Sequence, residues 1–266
     1  MSLKLTDKCF IIAEAGTCHA HHDPEERYYV AMDYVNTAVA VGVDAIKFQM
    51  FLDPNPETMF CWIDGDEDRS RRWKQSVLSL EKWHKVKNEA EARGIMFLSS
   101  AFEYETVKWQ TELGVAATKV ASRAAGYLDK YKDAPKPLLV SNGMYPVAEA
   151  KDQIILQCEA NYPSTTRWQG EPFTISHKSI STDKISLAPG EIIYCGENDI
   201  RCVTGFTGFS DHSGHPWRAI EAMARGCRLL EVHFYMNPSH AGPDYPASLT
   251  LDELKLVREA RDAFVL

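Results

Sequence analysis

About eight short apolar runs recur along the chain, at residues 9–15, 43–49, 95–100, 117–122, 137–143, 154–159, 206–212 and 229–234. Most are followed by a stretch of helical periodicity. Runs of this length between helices suit strands buried on both faces, and regular strand–helix alternation demands the crossovers of a parallel sheet. Helical spacing covers 24–41, 79–93, 103–113, 215–225 and 250–265, with a shorter helical piece at 126–131, and Gly42, Gly94, Gly114 and Gly226 supply stops. Pro24 with Glu25 and Glu26 suits a first turn, and Thr250-x-x-Glu253 is a capping box. The pattern predicts an α/β protein built as a (β/α)8 TIM barrel.

Two stretches break the alternation. Residues 51–77 are rich in Pro, Asp, Trp and Arg without clear periodicity, which reads as a functional lid or a disordered insertion. In 161–205, Ser, Thr, Pro and Gly interrupt every helical window, so an irregular insert is expected between strands six and seven. A length of 266 residues with 45% hydrophobic content is within the range of one such barrel, so 1–266 is expected to be a single domain.

Charge narrows the partners. Lys and Arg number 29 against 37 Asp and Glu, giving a net charge of −8 with no long basic run, which argues against nucleic acid and anionic membranes. An anionic small molecule would need local positive charge in a pocket. Seven widely spaced cysteines form no Cys-x-x-Cys pair, and no segment reaches the roughly 20 apolar residues of a membrane helix. The N-terminal residues also lack the apolar core of a signal peptide. A cytoplasmic protein acting on small molecules is the expectation.

The carboxyl ends of barrel strands are where ligands gather. Those ends carry Glu14, Lys47 with Gln49, Ser99 with Ser100, Lys119 with Ser122, Ser141, Tyr162 beyond strand six, Ser210-Asp211-His212, and His233 followed by Gly242-Pro243-Asp244. Taken singly, such a lysine is a surface ion-pair partner and such a histidine a satisfied core residue. Their coincidence on one rim favours a site. Strands seven and eight are neighbours about 4.8 Å apart, so His212 and His233 could share a divalent ion. Alternation also puts Glu231 on the face of His233. Lys47 and Lys119 supply the positive charge, and the serines offer donors to phosphate or carboxylate oxygens. His19, His21 and His22 in the first loop read as a solvated face.

In their order, Ile12-Ala13-Glu14, Ile46-Lys47-Phe48-Gln49, Ser99-Ser100-Ala101-Phe102, Lys119-Val120-Ala121-Ser122, Ser141-Asn142-Gly143-Met144, Tyr162-Pro163, Ser210-Asp211-His212, His233-Phe234 and Gly242-Pro243-Asp244 resemble the sialic acid synthase family. The resemblance runs from the first strand to the last helix. It implies a metal-dependent condensation of phosphoenolpyruvate with an N-acylhexosamine-like aldose, giving a 2-keto sugar acid and phosphate. By the same resemblance Lys47, Ser100, Lys119, Ser122, Ser141 and Ser210 would hold phosphoenolpyruvate. His212 and His233 would bind manganese or a similar ion, and Glu14, Gln49, Tyr162 and Asp244 would face the sugar. Glu14, Lys47, Gln49 and Lys119 are the catalytic candidates, Glu14 for positioning or deprotonating a water. A homodimer is compatible with the family.

The sequence departs from the family pattern at several points. Arg123-Ala124 stands where the pattern has an acidic residue that engages the acceptor, Ala160 where it has an asparagine, and Cys18 where an asparagine precedes the first-loop histidine. Family members continue into a small antifreeze-like domain, whereas this sequence ends at Leu266. These differences lead to the expectation of an acceptor other than N-acetylmannosamine, smaller or anionic. Two other readings use the same residues: a different aldol or isomerase step on a phosphorylated sugar, and a non-catalytic barrel that binds an anion in a sugar pathway.

Overall fold

In a computed structural model the apolar runs close into a barrel. The structure describes residues 2–6, 8–145, 147, 150, 152–168, 192–195, 200–203 and 207–264. Strands β1 (Phe10–Gly16), β2 (Ala45–Met50), β3 (Met96–Ala101), β4 (Thr118–Val120), β5 (Leu138–Ser141) and β6 (Gln153–Cys158) run in order around it. In the insert, β7 (Ile192–Cys195) and β8 (Ile200–Val203) form a separate antiparallel pair, and the rest of the stretch from 169 to 206 lies outside the described residues. The barrel resumes with β9 (Gly208–Asp211) and β10 (Leu229–Phe234), and β10 pairs in parallel with β1 to close it. A two-residue strand, β11 (Ser248–Leu249), adds to β10 at His233 and Phe234. The expected (β/α)8 barrel is present.

Local chemistry explains the helices. In α1 (Pro24–Val41) the Asp23 carboxylate accepts the Glu25 N–H at 2.9 Å, and Gly42 ends the helix at φ 82°, a left-handed conformation that glycine adopts without strain. Helices α3 (Leu80–Ala92) and α4 (Tyr104–Leu113) follow β2 and β3, and α5 (Pro216–Ala224) joins β9 to β10. The last helix, α7 (Leu251–Ala263), opens on the reciprocal Thr250–Glu253 capping box; its expected end at residue 265 lies outside the described residues. Helix α2 (Glu67–Gln75) and the short α6 (Pro238–Ala241), with the 3-10 turn Gly242–Ala247, were not expected. The 51–77 connection is thus folded, with Trp73 of α2 buried in a secondary core beside Phe51 and Phe102.

The barrel interior has two levels. Ile12, Ala45, Leu98, Ala117, Leu139, Leu156 and Leu229 make an apolar floor. Two residues further along the same strands stand Glu14, Lys47, Ser100, Lys119, Ser141, Cys158 and Glu231, because side chains on one face of a strand repeat every second residue. On β9 the floor position is Gly208, where a Cβ would come within 2.7 Å of the Leu229 carbonyl oxygen, so only glycine lets β9 approach β10 there.

Candidate active site

The upper level is a layer of buried charges. Lys47 Nζ lies 2.9 Å from Glu14 Oε2, 3.0 Å from Ser100 Oγ and 3.5 Å from Glu231 Oε2. Lys119 Nζ donates to Ser141 Oγ at 2.8 Å and lies 3.4 Å from Glu231 Oε1, which also accepts a hydrogen bond from Ser210 Oγ at 2.8 Å. Strand register makes this cluster: Glu14 stands between His233 of β10 and Lys47 of β2, and Ser100 is beside Lys119.

The two carboxylates are pushed in opposite directions. Burial raises the Glu14 pKa, and Lys47 only partly offsets it. Burial acts on Glu231 in the same sense, but Lys119 and Lys47 together hold its carboxyl well below the usual range. The lysines also diverge. Burial pulls both down, yet Glu14 and Glu231 leave Lys47 raised, while Lys119 stays lowered with Glu231 as its main compensation. A charge layer that holds one carboxylate ionised and raises the other can bind an anion and exchange a proton in the same space.

Adjoining this layer are imidazole and phenol: Ser210 Oγ, bonded to Glu231, lies 3.4 Å from His212 Nε2, and His233 is beside Glu14 in the sheet. His212, just past β9, has Nδ1 at 2.8 Å from the Glu159 carbonyl oxygen, and its ring stacks on Tyr162 at 4.4 Å. Its ring centre is 5.2 Å from that of His233. Burial, reinforced by His233, lowers the His212 pKa to about 3, so the imidazole is neutral near pH 7. With Nδ1–H donated to a carbonyl, Nε2 keeps a lone pair facing the pocket, as a metal-ligating histidine requires. Among the described residues no group of three His, Cys, Asp or Glu side chains could hold an ion alone. Two imidazoles with substrate or water completing the shell fit an ion with open positions.

These groups line a cavity of about 370 Å³, within the size range of small-molecule sites. Every residue given a substrate, catalytic or metal role from the sequence lines it: Glu14, Lys47, Gln49, Ser100, Lys119, Ser122, Ser141, Tyr162, Ser210, His212, His233 and Asp244. Ser99 does not, since β3 turns only Ser100 inward. Arg123, placed beside the acceptor from the sequence, lines the cavity, and Glu231, Cys158 and Arg69 line it too without having been assigned to it from the sequence. Period-two alternation from His233 already pointed to Glu231. Arg69 had no such signal, because it sits in the aperiodic connection.

Three expectations need correction. His19 is not on a solvated face: it is fully buried, packed edge-on against Phe48 and Trp83, with Nε2 2.8 Å from the Ser76 carbonyl oxygen. Strand four stops at Val120 and the chain turns into a 3-10 helix, Ser122–Tyr131, so the helical piece begins four residues early. That turn separates Arg123 from Ala124. Ala124 is buried in the secondary core while Arg123 faces the cavity, so residue 124 presents no side chain to an acceptor.

A closed parallel barrel whose strand ends carry such a charge layer is the framework of a (β/α)8 enzyme. The chain belongs to the NeuB family, which it matches over residues 34–168 and 201–265. It is 27% identical over 285 residues to the N,N'-diacetyllegionaminic acid synthase of Legionella pneumophila, covering 96% of this chain and 72% of that one. It is 27% identical over 278 residues to the N-acetylneuraminate-9-phosphate synthase of Homo sapiens, covering 95% and 69%. Among solved structures, the N-acetylneuraminic acid synthetase of Leptospira borgpetersenii has the same fold, with a TM-score of 0.67 at 19% identity over 97% of this chain and 86% of that one. No helix among the described residues is long and apolar enough to cross a membrane.

Proposed function

We propose that this chain condenses phosphoenolpyruvate with the aldehyde carbon of an aldose, releasing phosphate and a 2-keto sugar acid. The observation that carries the reading is the buried Lys47–Glu14 and Lys119–Glu231 layer, in a member of a family whose named relatives are sugar-acid synthases. Lys47 and Lys119, with Ser100, Ser141 and Ser210, would hold the phosphate and carboxylate of phosphoenolpyruvate through charge-assisted hydrogen bonds. Ser122, whose buried hydroxyl has no hydrogen-bond partner among the described residues, is a further donor.

C3 of phosphoenolpyruvate forms the new carbon–carbon bond to the aldehyde carbon, water adds to C2, and the C2–O bond to phosphate breaks. Glu14 is suited to take the proton of that water and return it to the former aldehyde oxygen, since a raised carboxyl pKa brings a general base nearer its working range. His212 and His233 would hold a divalent ion, manganese being the expectation, which when bound polarises the aldehyde oxygen. Gln49, Tyr162 and Asp244 would orient the sugar.

The reading is tested by following phosphate release from phosphoenolpyruvate with manganese across a panel of aldoses. Phosphate and keto acid should appear together and only with a competent aldose. Absence of aldose-dependent release across phosphorylated, acidic and neutral aldoses would refute it.

A further inference from the structure

The cations that line the cavity are paired unequally. At the lysine end each ammonium faces a carboxylate, as described above. Elsewhere in the lining stand Arg69 and Arg123, and the carboxylate of Asp244 lies 4.0 Å from Arg69 Nη1. Arg69 is already tied by Nε to Asp66 at 2.9 Å. Arg123 makes no ion pair with any described residue.

The setting of Arg123 fixes its direction. Its guanidinium carbon lies 4.7 Å from the centre of the Trp73 ring and 4.5 Å from that of Phe102, which locks the plane through cation–π contact. Its Nε is buried with no hydrogen-bond partner among the described residues. The guanidinium interacts with the Cys61 thiol, which burial keeps protonated and therefore uncharged. A rigid, always-charged fork that makes no ion pair with a described residue gains most from an oxyanion that arrives with the ligand, because guanidinium and phosphate or carboxylate match in geometry as well as charge.

We propose that the acceptor is an anionic aldose, bearing a phosphate or carboxylate at the end remote from its aldehyde, and that Arg123, assisted by Arg69, selects it. The proposal rests on the reading of the cavity as a condensing site and specifies the substrate class that site takes. A purely structural role would have Arg123 hold Trp73 against Phe102, and its loss would then weaken every sugar alike.

Reduced sugars separate these cases, since an alditol has no aldehyde and cannot be condensed. Calorimetric titrations of a hexitol 6-phosphate, a reduced hexuronic acid and the neutral hexitol, each with phosphoenolpyruvate at saturation, would be compared between the unmodified protein and Arg123→Gln. At least one charged alditol should bind about 10- to 100-fold more tightly than the neutral one, the range for hydrogen bonds to charged groups, and Arg123→Gln should erase most of that advantage. Which charged alditol gains identifies phosphate or carboxylate as the natural group. Arg123→Lys, which keeps the charge but not the fork, should retain part of the advantage and guards against a folding defect.

Equal affinity for charged and neutral alditols, equal weakening of both by Arg123→Gln, or displacement of the charged alditol by phosphoenolpyruvate would each overturn the proposal. If phosphoenolpyruvate itself fails to bind, the condensing reading falls, while the alditol titrations still report the charge selectivity of Arg123.

Discussion

The floor of the barrel and the charge layer above it are built by the same strands, two residues apart, and they obey opposite energetics. Leu98, Leu139, Leu156 and Leu229 leave water completely or nearly so, each worth about 1.5–3 kcal/mol of transfer free energy. Lys47, Lys119, Glu14 and Glu231 are as deeply buried, but taking each charge out of water costs several kcal/mol that only the mutual pairing offsets. The floor therefore adds to the apolar burial that holds the fold together, whereas the layer draws on it. A layer of buried charge can thus be placed wherever a strand face continues past a well-packed core.

The sharpest way to break that contrast is Glu231→Ala, which removes the carboxylate shared by both lysines. It should cost about 3–5 kcal/mol in urea unfolding, the usual penalty for stranding buried charge, and should also abolish phosphoenolpyruvate binding. Leu156→Ala in the floor should cost a comparable 2–5 kcal/mol, roughly, yet leave that binding intact in whatever fraction stays folded. Similar binding losses in the two variants would show that the levels are not separable.

Next in size is Lys119→Met, which leaves Glu231 paired with Lys47 alone. Phosphoenolpyruvate should bind about 1.5–3 kcal/mol more weakly by calorimetry, the worth of a hydrogen bond to a charged group. An unchanged affinity would remove Lys119 from the anion site.

A third test uses the core histidine outside the barrel. Burial lowers the His19 pKa to about 4, below its unfolded value near 6.5. Its contribution to stability is therefore complete above about pH 6.5 and is lost as the pH falls toward about 4, amounting to about 2 kcal/mol between pH 7.5 and pH 5. His19→Leu should flatten the pH dependence of unfolding by that amount, whatever it does to absolute stability. A slope identical to the unmodified protein would mean that His19 does not titrate on unfolding.

The smallest effect is expected from Gly208→Ala. The added methyl would meet the Leu229 carbonyl oxygen and Leu156 at the floor, so about 1–3 kcal/mol should be lost on thermal or urea unfolding. A neutral outcome would show slack between β9 and β10 that the close approach denies.

Much of this was legible in the sequence, and the reasons are local. Apolar runs and glycine stops are short-range signals, so the barrel strands, the main helices and the Thr250–Glu253 cap could be read directly. Period-two alternation carried Lys47, Lys119, Glu231 and His233 to the inner face of their strands without any knowledge of their neighbours. Helix α2 escaped because its sequence, Glu-Asp-Arg-Ser-Arg-Arg-Trp-Lys-Gln, offers one buried anchor, Trp73, and no apolar stripe.

Which charges meet depends on barrel closure. Glu14, Lys47 and Glu231 are far apart along the chain and come together only when β10 closes against β1, so the opposite pKa shifts of the two carboxylates cannot be read from either segment. The same holds for His19, buried by Trp83 and Phe48 from elements that follow it, and for the turn that sends Ala124 into the core and Arg123 to the cavity. Sequence alone set the face on which each side chain stands, because that follows from backbone periodicity. Closure of the barrel set the ionisation and partner of each one, because Coulomb energy and desolvation depend on distances in space.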